Sequence, residues 1–198
     1  MIAKKSLQFI LSPLLLALFF WVIKMIPLTI VFFSLSLFCL YFFRDPARKI
    51  GPGIVSPADG RIMDISEGEG KTQIAIFMNL FDVHVNRMPI DGKIVGIERI
   101  RGKHAMAFLP KSKENSRQKI HLDTVIGEIT IIQIAGLFAW RIMPYIKKGQ
   151  ILKKGERIGI IRFGSRVDIF LPSQKVDVSA LLNQRVKAGS SILAHIKK

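Results

Sequence analysis

The chain has 198 residues, 49% of them hydrophobic, a formal net charge of +16 and a single cysteine, Cys39. That size suits one domain plus a membrane-like segment, and one cysteine excludes an internal disulfide framework. The positive charge comes without zinc-finger spacing, an RNA-binding signature or an aromatic-interleaved basic stripe, so no nucleic acid is expected as partner; it suits an anionic membrane surface.

Two apolar runs open the chain, residues 7–23 and 26–43, separated by Lys24. Each lies near the lower limit of about 17–25 residues for a spanning helix. A signal peptide is the first alternative, but no small-residue cleavage site follows the first run and a second run begins at once. The expectation is an α-helical hairpin over residues 1–48, either transmembrane or re-entrant. Lys4 and Lys5 flank one end and Arg44, Arg48 and Lys49 the other, which by the positive-inside rule places both ends in the cytoplasm. The remainder, 49–198, then forms a domain at the cell membrane on the cytoplasmic side.

From residue 51 onwards short β-branched runs alternate with Gly and Pro. The strands expected are 61–65, 72–78, 92–99, 125–134, 156–162 and 167–171. They are separated by turn signals at Asp59-Gly60, Glu67–Gly70, Asp91-Gly92 and Lys148-Gly149. A helical turn is expected at 179–183, and the domain reads as mostly β with minor helix. Gln150–Gly155 followed by Ile158 repeats as Gln184–Gly189 followed by Ile192, at an offset of 34 residues. The shared pattern of apolar, Lys, any residue, Gly resembles strands of lipoyl- and biotinyl-type barrel-sandwich domains. Ser56-Pro57-Ala58-Asp59-Gly60-Arg61-Ile62 resembles the opening strand of that architecture, which speaks to fold rather than chemistry.

Three places offer chemistry. Asp59 precedes a Gly, which is strong turn chemistry by itself. His84 lies between Val83 and Val85, so on a strand it projects with Asp82 and Asn86 to one polar face. That face either lines a pocket or meets solvent. Gly164-Ser165 interrupts Ile160 to Leu171, a strand pattern on both sides. It is either a bulge with a solvent-facing Ser, or a nucleophile beside a carbonyl that Gly leaves uncrowded. His104, His121 and His195 have no motif around them. No spacing suggests a metal site.

Together these stretches resemble the phosphatidylserine decarboxylase family in its short form with an N-terminal membrane hairpin. The matching segments are Phe43–Pro46, Ser56–Gly60, Phe81–Pro89, Gln133–Gly136 and Phe163–Asp168, in that order. The resemblance implies self-cleavage between Gly164 and Ser165 into chains 1–164 and 165–198, which stay together as a heterodimer. It implies a pyruvoyl group made from Ser165, which forms a Schiff base with the amine of an aminophospholipid. It implies that Asp59, His84 and Ser165 act together, the carboxylate orienting a base that activates the hydroxyl. Arg87 and Arg166 are the candidates for holding the lipid phosphate. The substrate implied is phosphatidylserine, giving phosphatidylethanolamine, or its ether-linked archaeal counterpart archaetidylserine. The sequence departs from the family at Arg87, where longer bacterial members carry a second histidine. A non-enzymatic membrane-tethered barrel-sandwich adaptor or carrier is the competing class, although no modifiable hairpin Lys is evident.

Overall fold

The computed structural model describes residues 1–3, 6–102, 114–136, 142–162 and 165–197. The chain forms two compact units, Met1–Ala47 and Arg48–Lys198. The boundary falls one residue before the expected one, which puts Arg48 in the second unit.

The first unit is the expected helical hairpin. Helix α1 spans Leu7–Val22 and helix α2 spans Ile26–Phe42. Leu-rich sequence favours both helices. Lys24 turns the chain between them with φ of 59°, and Pro27 sits at the start of α2, where a missing N–H costs nothing. Ile10, Pro13 and Ala17 of α1 and Ser36, Cys39 and Phe42 of α2 are the buried positions. Ser36 Oγ donates to the Ile10 carbonyl at 2.9 Å, and Phe20 stacks on Phe32 at 5.3 Å. The transmembrane alternative is not supported. No helix among the described residues is long and apolar enough to cross a membrane. At 16 and 17 residues the helices are about 24–26 Å long, against a hydrocarbon core of about 30 Å.

The second unit is built of antiparallel strands. They are β1 (Ile54–Val55), β2 (Gly60–Gly68), β3 (Lys71–Met78), β4 (Val85–Arg87), β5 (Gly92–Ile100), β6 (Arg117–Thr124) and β7 (Gly127–Ala135). Then follow β8 (Ile142–Pro144), β9 (Ile151–Leu152), β10 (Arg157–Ile161), β11 (Ser165–Pro172), β12 (Val176–Val178), β13 (Arg185–Val186) and β14 (Ile192–Ile196). Eight of them make one curled sheet, a half-barrel, in the order β13-β2-β3-β11-β7-β6-β5-β9. Two three-stranded sheets, β1-β14-β12 and β4-β10-β8, complete it. Alternate residues of the large sheet point into one core: Ile74, Ile76 and Met78, Ile120 and Leu122, Ile129 and Ile131, Val167, Ile169 and Leu171. Burying each of these side chains contributes about 1.5–3 kcal/mol.

All six expected strands form. Expected strand 125–134 starts later, because Val125 and Ile126 lie in the turn between β6 and β7. Thr124 Oγ1 closes that turn on the Gly127 carbonyl at 2.7 Å, and Gly127 has φ of +97°. Residues 179–183 form no helical turn; Asn183 takes φ of +66° in a tight turn, and a short 3-10 helix lies instead at Ser173–Lys175.

The two Lys-x-Gly turns are brought together. Gly155 and Gly189 take φ of +83° and +75°, and a Cβ on Gly189 would lie 3.7 Å from the Gly155 Cα. Each turn serves one strand of the large sheet in the same way. Ile94 N–H donates to the Gln150 carbonyl and Ile62 N–H to the Gln184 carbonyl. The matching strand starts are Met88-Pro89-Ile90-Asp91-Gly92-Lys93-Ile94 and Ser56-Pro57-Ala58-Asp59-Gly60-Arg61-Ile62, a second internal repeat.

Candidate active site

Ser165 is the first residue of β11, facing Met78 of β3 on one side and Ala135 of β7 on the other. It is fully buried, on the same face as Val167, Ile169 and Leu171, so it is not a solvent-facing bulge serine. Its Oγ lies 3.2 Å from Met78 Sδ. Gly164, the other half of the expected cleavage site, lies outside the described residues, as does Phe163.

His84 is fully buried immediately before β4. Strand β4 pairs with β10, Val85 opposite Ile160, and the His84 carbonyl accepts from Ile161 N–H at 3.3 Å. Pairing thus sets His84 against the end of the strand that leads into Ser165. Its Nδ1 lies 2.9 Å from the Asp82 main-chain carbonyl. A carbonyl only accepts, so the neutral ring carries its proton on Nδ1 and its basic lone pair on Nε2. The loop carrying Asp82 is held by Asp82 Oδ2, which accepts from Asn79 N–H at 2.8 Å.

Asp59 makes different contacts from those expected. Oδ2 accepts from Arg48 Nη2 at 2.6 Å, and Oδ1 from Ala188 N–H at 2.8 Å. The imidazole is oriented by the Asp82 carbonyl rather than by this carboxylate. Burial pushes the Asp59 carboxyl above its ordinary 3.8; Ala188 and Arg48 oppose the rise, and the nearby charge of Asp82 adds to it.

The two candidate phosphate ligands are both buried and engaged. Arg87 projects from β4 on the face opposite His84 and Asn86, and its Nη1 donates to the Gly155 carbonyl at 3.0 Å. Arg166 projects from β11 on the face opposite Ser165. Its Nε and Nη2 clasp Asp168 at 2.6 and 2.9 Å, and Gln73 Nε2 also donates to Asp168 at 2.9 Å. Burial raises the Asp168 carboxyl, with Arg166 and Gln73 opposing. His121 lies on the outer face near Glu98 and Glu128, and His104 is outside the described residues. No group of His, Cys, Asp and Glu among the described residues is arranged to hold a metal.

Sequence reasoning missed Met78 and Gln118 and gave Gln133 no role. Gln133 and Gln118 are polar residues at inward positions where the other inward residues of the same strand are apolar, and both are buried. That misplacement in the alternation is the signal that marks them.

The family model for phosphatidylserine decarboxylase matches residues 35–194. A phosphatidylserine decarboxylase proenzyme of Streptomyces griseus is 44% identical over 85% of this chain and 77% of its own. One from Ehrlichia ruminantium is 46% identical over 86% of this chain and 80% of its own. An inferred archaetidylserine decarboxylase proenzyme of Archaeoglobus fulgidus is 44% identical over 82% of this chain and 80% of its own. A buried serine at the head of a strand, with a histidine paired beside its approach, sits inside the matched region. The chain belongs to the phosphatidylserine decarboxylase family.

Proposed function

We propose that this chain is the proenzyme of a pyruvoyl-dependent decarboxylase that acts on the serine headgroup of an aminophospholipid. The observation that carries the reading is Ser165 itself. Its hydroxyl is buried, and its strand is paired on both sides from the first residue. A break just before Ser165 leaves β11 held by β3 and β7, so both cleavage products stay together.

In the self-cleavage step, Ser165 Oγ bonds to the preceding carbonyl carbon, the C–N bond breaks, and the hydroxyl proton ends on the freed amine. His84 Nε2 takes and returns that proton. The resulting ester is eliminated, Ser165 losing its Cα proton and its Oγ, which leaves with the Gly164 carboxyl. Water then replaces the nitrogen and ammonia departs. The residues fit the group so formed, because position 165 is fully buried and its side chain lies against Met78. The pyruvoyl group supplies the electron sink for loss of carbon dioxide.

The paired Lys-x-Gly turns support a barrel-sandwich description of the domain. The helical hairpin carries exposed apolar side chains on both helices, Leu15 and Trp21 on α1 and Ile30 and Val31 on α2 among them. That surface suits burial in the interface of a bilayer without spanning it. Lysine and arginine at the hairpin ends support a cytoplasmic position for the catalytic domain. A phosphate role for Arg87 or Arg166 requires giving up Gly155 or Asp168. The Streptomyces and Archaeoglobus relatives are equally similar, so ester- and ether-linked lipids are both to be assayed.

Mass spectrometry of the purified protein tests the reading. Residues 1–164 and a 34-residue fragment with a blocked N-terminus are expected, and Ser165→Ala stays whole. A Ser165→Ala chain still cut at this bond sinks the assignment.

A further inference from the structure

Behind Ser165 runs a line of buried amides. Arg99 Nε donates to Gln118 Oε1 at 3.3 Å. Gln118 Nε2 donates to Gln133 Oε1 at 2.8 Å, and Gln133 Nε2 to Asn86 Oδ1 at 2.7 Å. Asn86 Nδ2 then points at Met78 Sδ at 3.7 Å, the sulfur that Ser165 Oγ also touches. Gln118, Gln133 and Asn86 are each 0–1% exposed.

The line has a direction. A guanidinium only donates, so Gln118 must turn its oxygen to Arg99, and each amide in turn offers N–H to the next. The line therefore delivers an N–H donor, not an acceptor, to the sulfur beside Ser165. A thioether is a weak acceptor. Three buried amides are costly unless hydrogen-bonded, and neighbouring inward positions hold Ile120, Ile131 and Met78. A donor held this firmly against so poor an acceptor is available for a better one.

We propose that Asn86 is the donor for the oxygen that gains charge during self-cleavage, with Gln133 and Gln118 as positioning residues that keep its N–H turned towards Ser165. The proposal rests on the self-cleaving reading above. As Ser165 Oγ bonds to the preceding carbonyl carbon, the carbonyl oxygen becomes negative until the C–N bond breaks. Asn86 leaves a weak contact with sulfur to meet that charge. A single donor of this kind is worth about 10²–10³ in rate.

The test follows conversion of freshly made full-length chain to the 34-residue fragment by mass spectrometry, with thermal melting to report the fold. Asn86→Leu should convert about 10²-fold more slowly. Gln133→Glu, when ionised, accepts from both Gln118 and Asn86. It keeps the hydrogen bonds but turns the Asn86 oxygen towards Ser165. Conversion should be slow at high pH and recover as the introduced carboxyl is protonated. Arg99→Ala, at an exposed position, spares the fold and should slow conversion several-fold. A folded Asn86→Leu chain that converts within twofold of the parent overturns the proposal. Should Asn86→Leu not fold, parental rates in both Arg99→Ala and Gln133→Glu, the latter with a flat pH profile, overturn it equally. An uncut parent sinks the self-cleavage reading and this proposal with it; a cut parent with an unaffected Asn86→Leu sinks the proposal alone.

Discussion

Asp59 and Asp91 accept the same main-chain hydrogen bond, one from each of two matching turns: Ala188 N–H at 2.8 Å and Lys154 N–H at 2.6 Å. One oxygen of each carboxylate is thereby accounted for by the fold. What separates the two is Arg48, which reaches the other oxygen of Asp59. Asp59 is buried, whereas Asp91 is exposed. Urea unfolding in a Ser165→Ala background should show the difference. Asp91→Ala should cost about 1 kcal/mol, the loss of one accessible hydrogen bond. Asp59→Ala should cost about 3 kcal/mol, because a guanidinium with little solvent loses its counter-charge. Equal losses would mean that Arg48 contributes nothing beyond the turn.

Asp168 gives a pH signature of unusual sign. Burial raises its folded-state carboxyl above the ordinary 3.8, even with Arg166 and Gln73 opposing. On acidification the folded chain therefore takes up this proton before the unfolded chain does. Stability attributable to the group rises as pH falls through the raised value, and is fully gained below the unfolded one. An ordinary salt-bridged Asp behaves in the opposite way. Relative to Asp168→Asn, the parent should gain stability as pH falls through the raised value towards the ordinary 3.8, read as the difference in urea midpoints. A difference that falls on acidification would show that Arg166 outweighs burial.

The central strands were legible because alternation there is strong: Thr72–Met78 and Val167–Leu171 are apolar on one face and mixed on the other. β6 was not legible. Arg117, Lys119, His121 and Asp123 make it read as polar, yet Gln118, Ile120 and Leu122 fill its inward face. The two-residue strands β1, β9 and β13 carry no periodicity at all and exist because of their partners. Ser165 was legible as an anomaly in a strand, and His84 as a polar residue between valines. The partner of His84 was not, because a main-chain carbonyl leaves no trace in sequence. The helical hairpin was legible from its apolar runs, but its helices end one residue short of each run and fall below spanning length.

The second unit begins at Arg48, and Arg48 is bonded to Asp59. Two truncations that differ by a few residues should therefore behave differently. A chain of residues 48–198 should fold and cut itself, while losing its affinity for lipid vesicles. A chain of residues 50–198 lacks the guanidinium and should melt several degrees lower, since about 1 kcal/mol shifts the melting point of a domain of this size by a few degrees. Identical melting curves would remove Arg48 from the account of Asp59.

His84 is fully buried beside the strand end that leads to Ser165, and its Nδ1 is committed to the Asp82 carbonyl. That leaves Nε2 as the nitrogen able to take the Ser165 proton. His84→Ala should slow appearance of the 34-residue fragment about 10²–10⁴-fold, the usual share of a positioned general base. His121→Ala should not, because that ring lies on the outer face of the sheet between Glu98 and Glu128. Asp82→Asn provides the sharper control. The imidazole is held by the main-chain carbonyl of residue 82, and an Asn side chain can still accept from Asn79 N–H. Cleavage should therefore stay within about twofold of the parent. A large loss in Asp82→Asn would place the orienting group on the carboxylate instead. A folded His84→Ala chain that cuts itself at the parental rate would leave Ser165 to be activated by some other base.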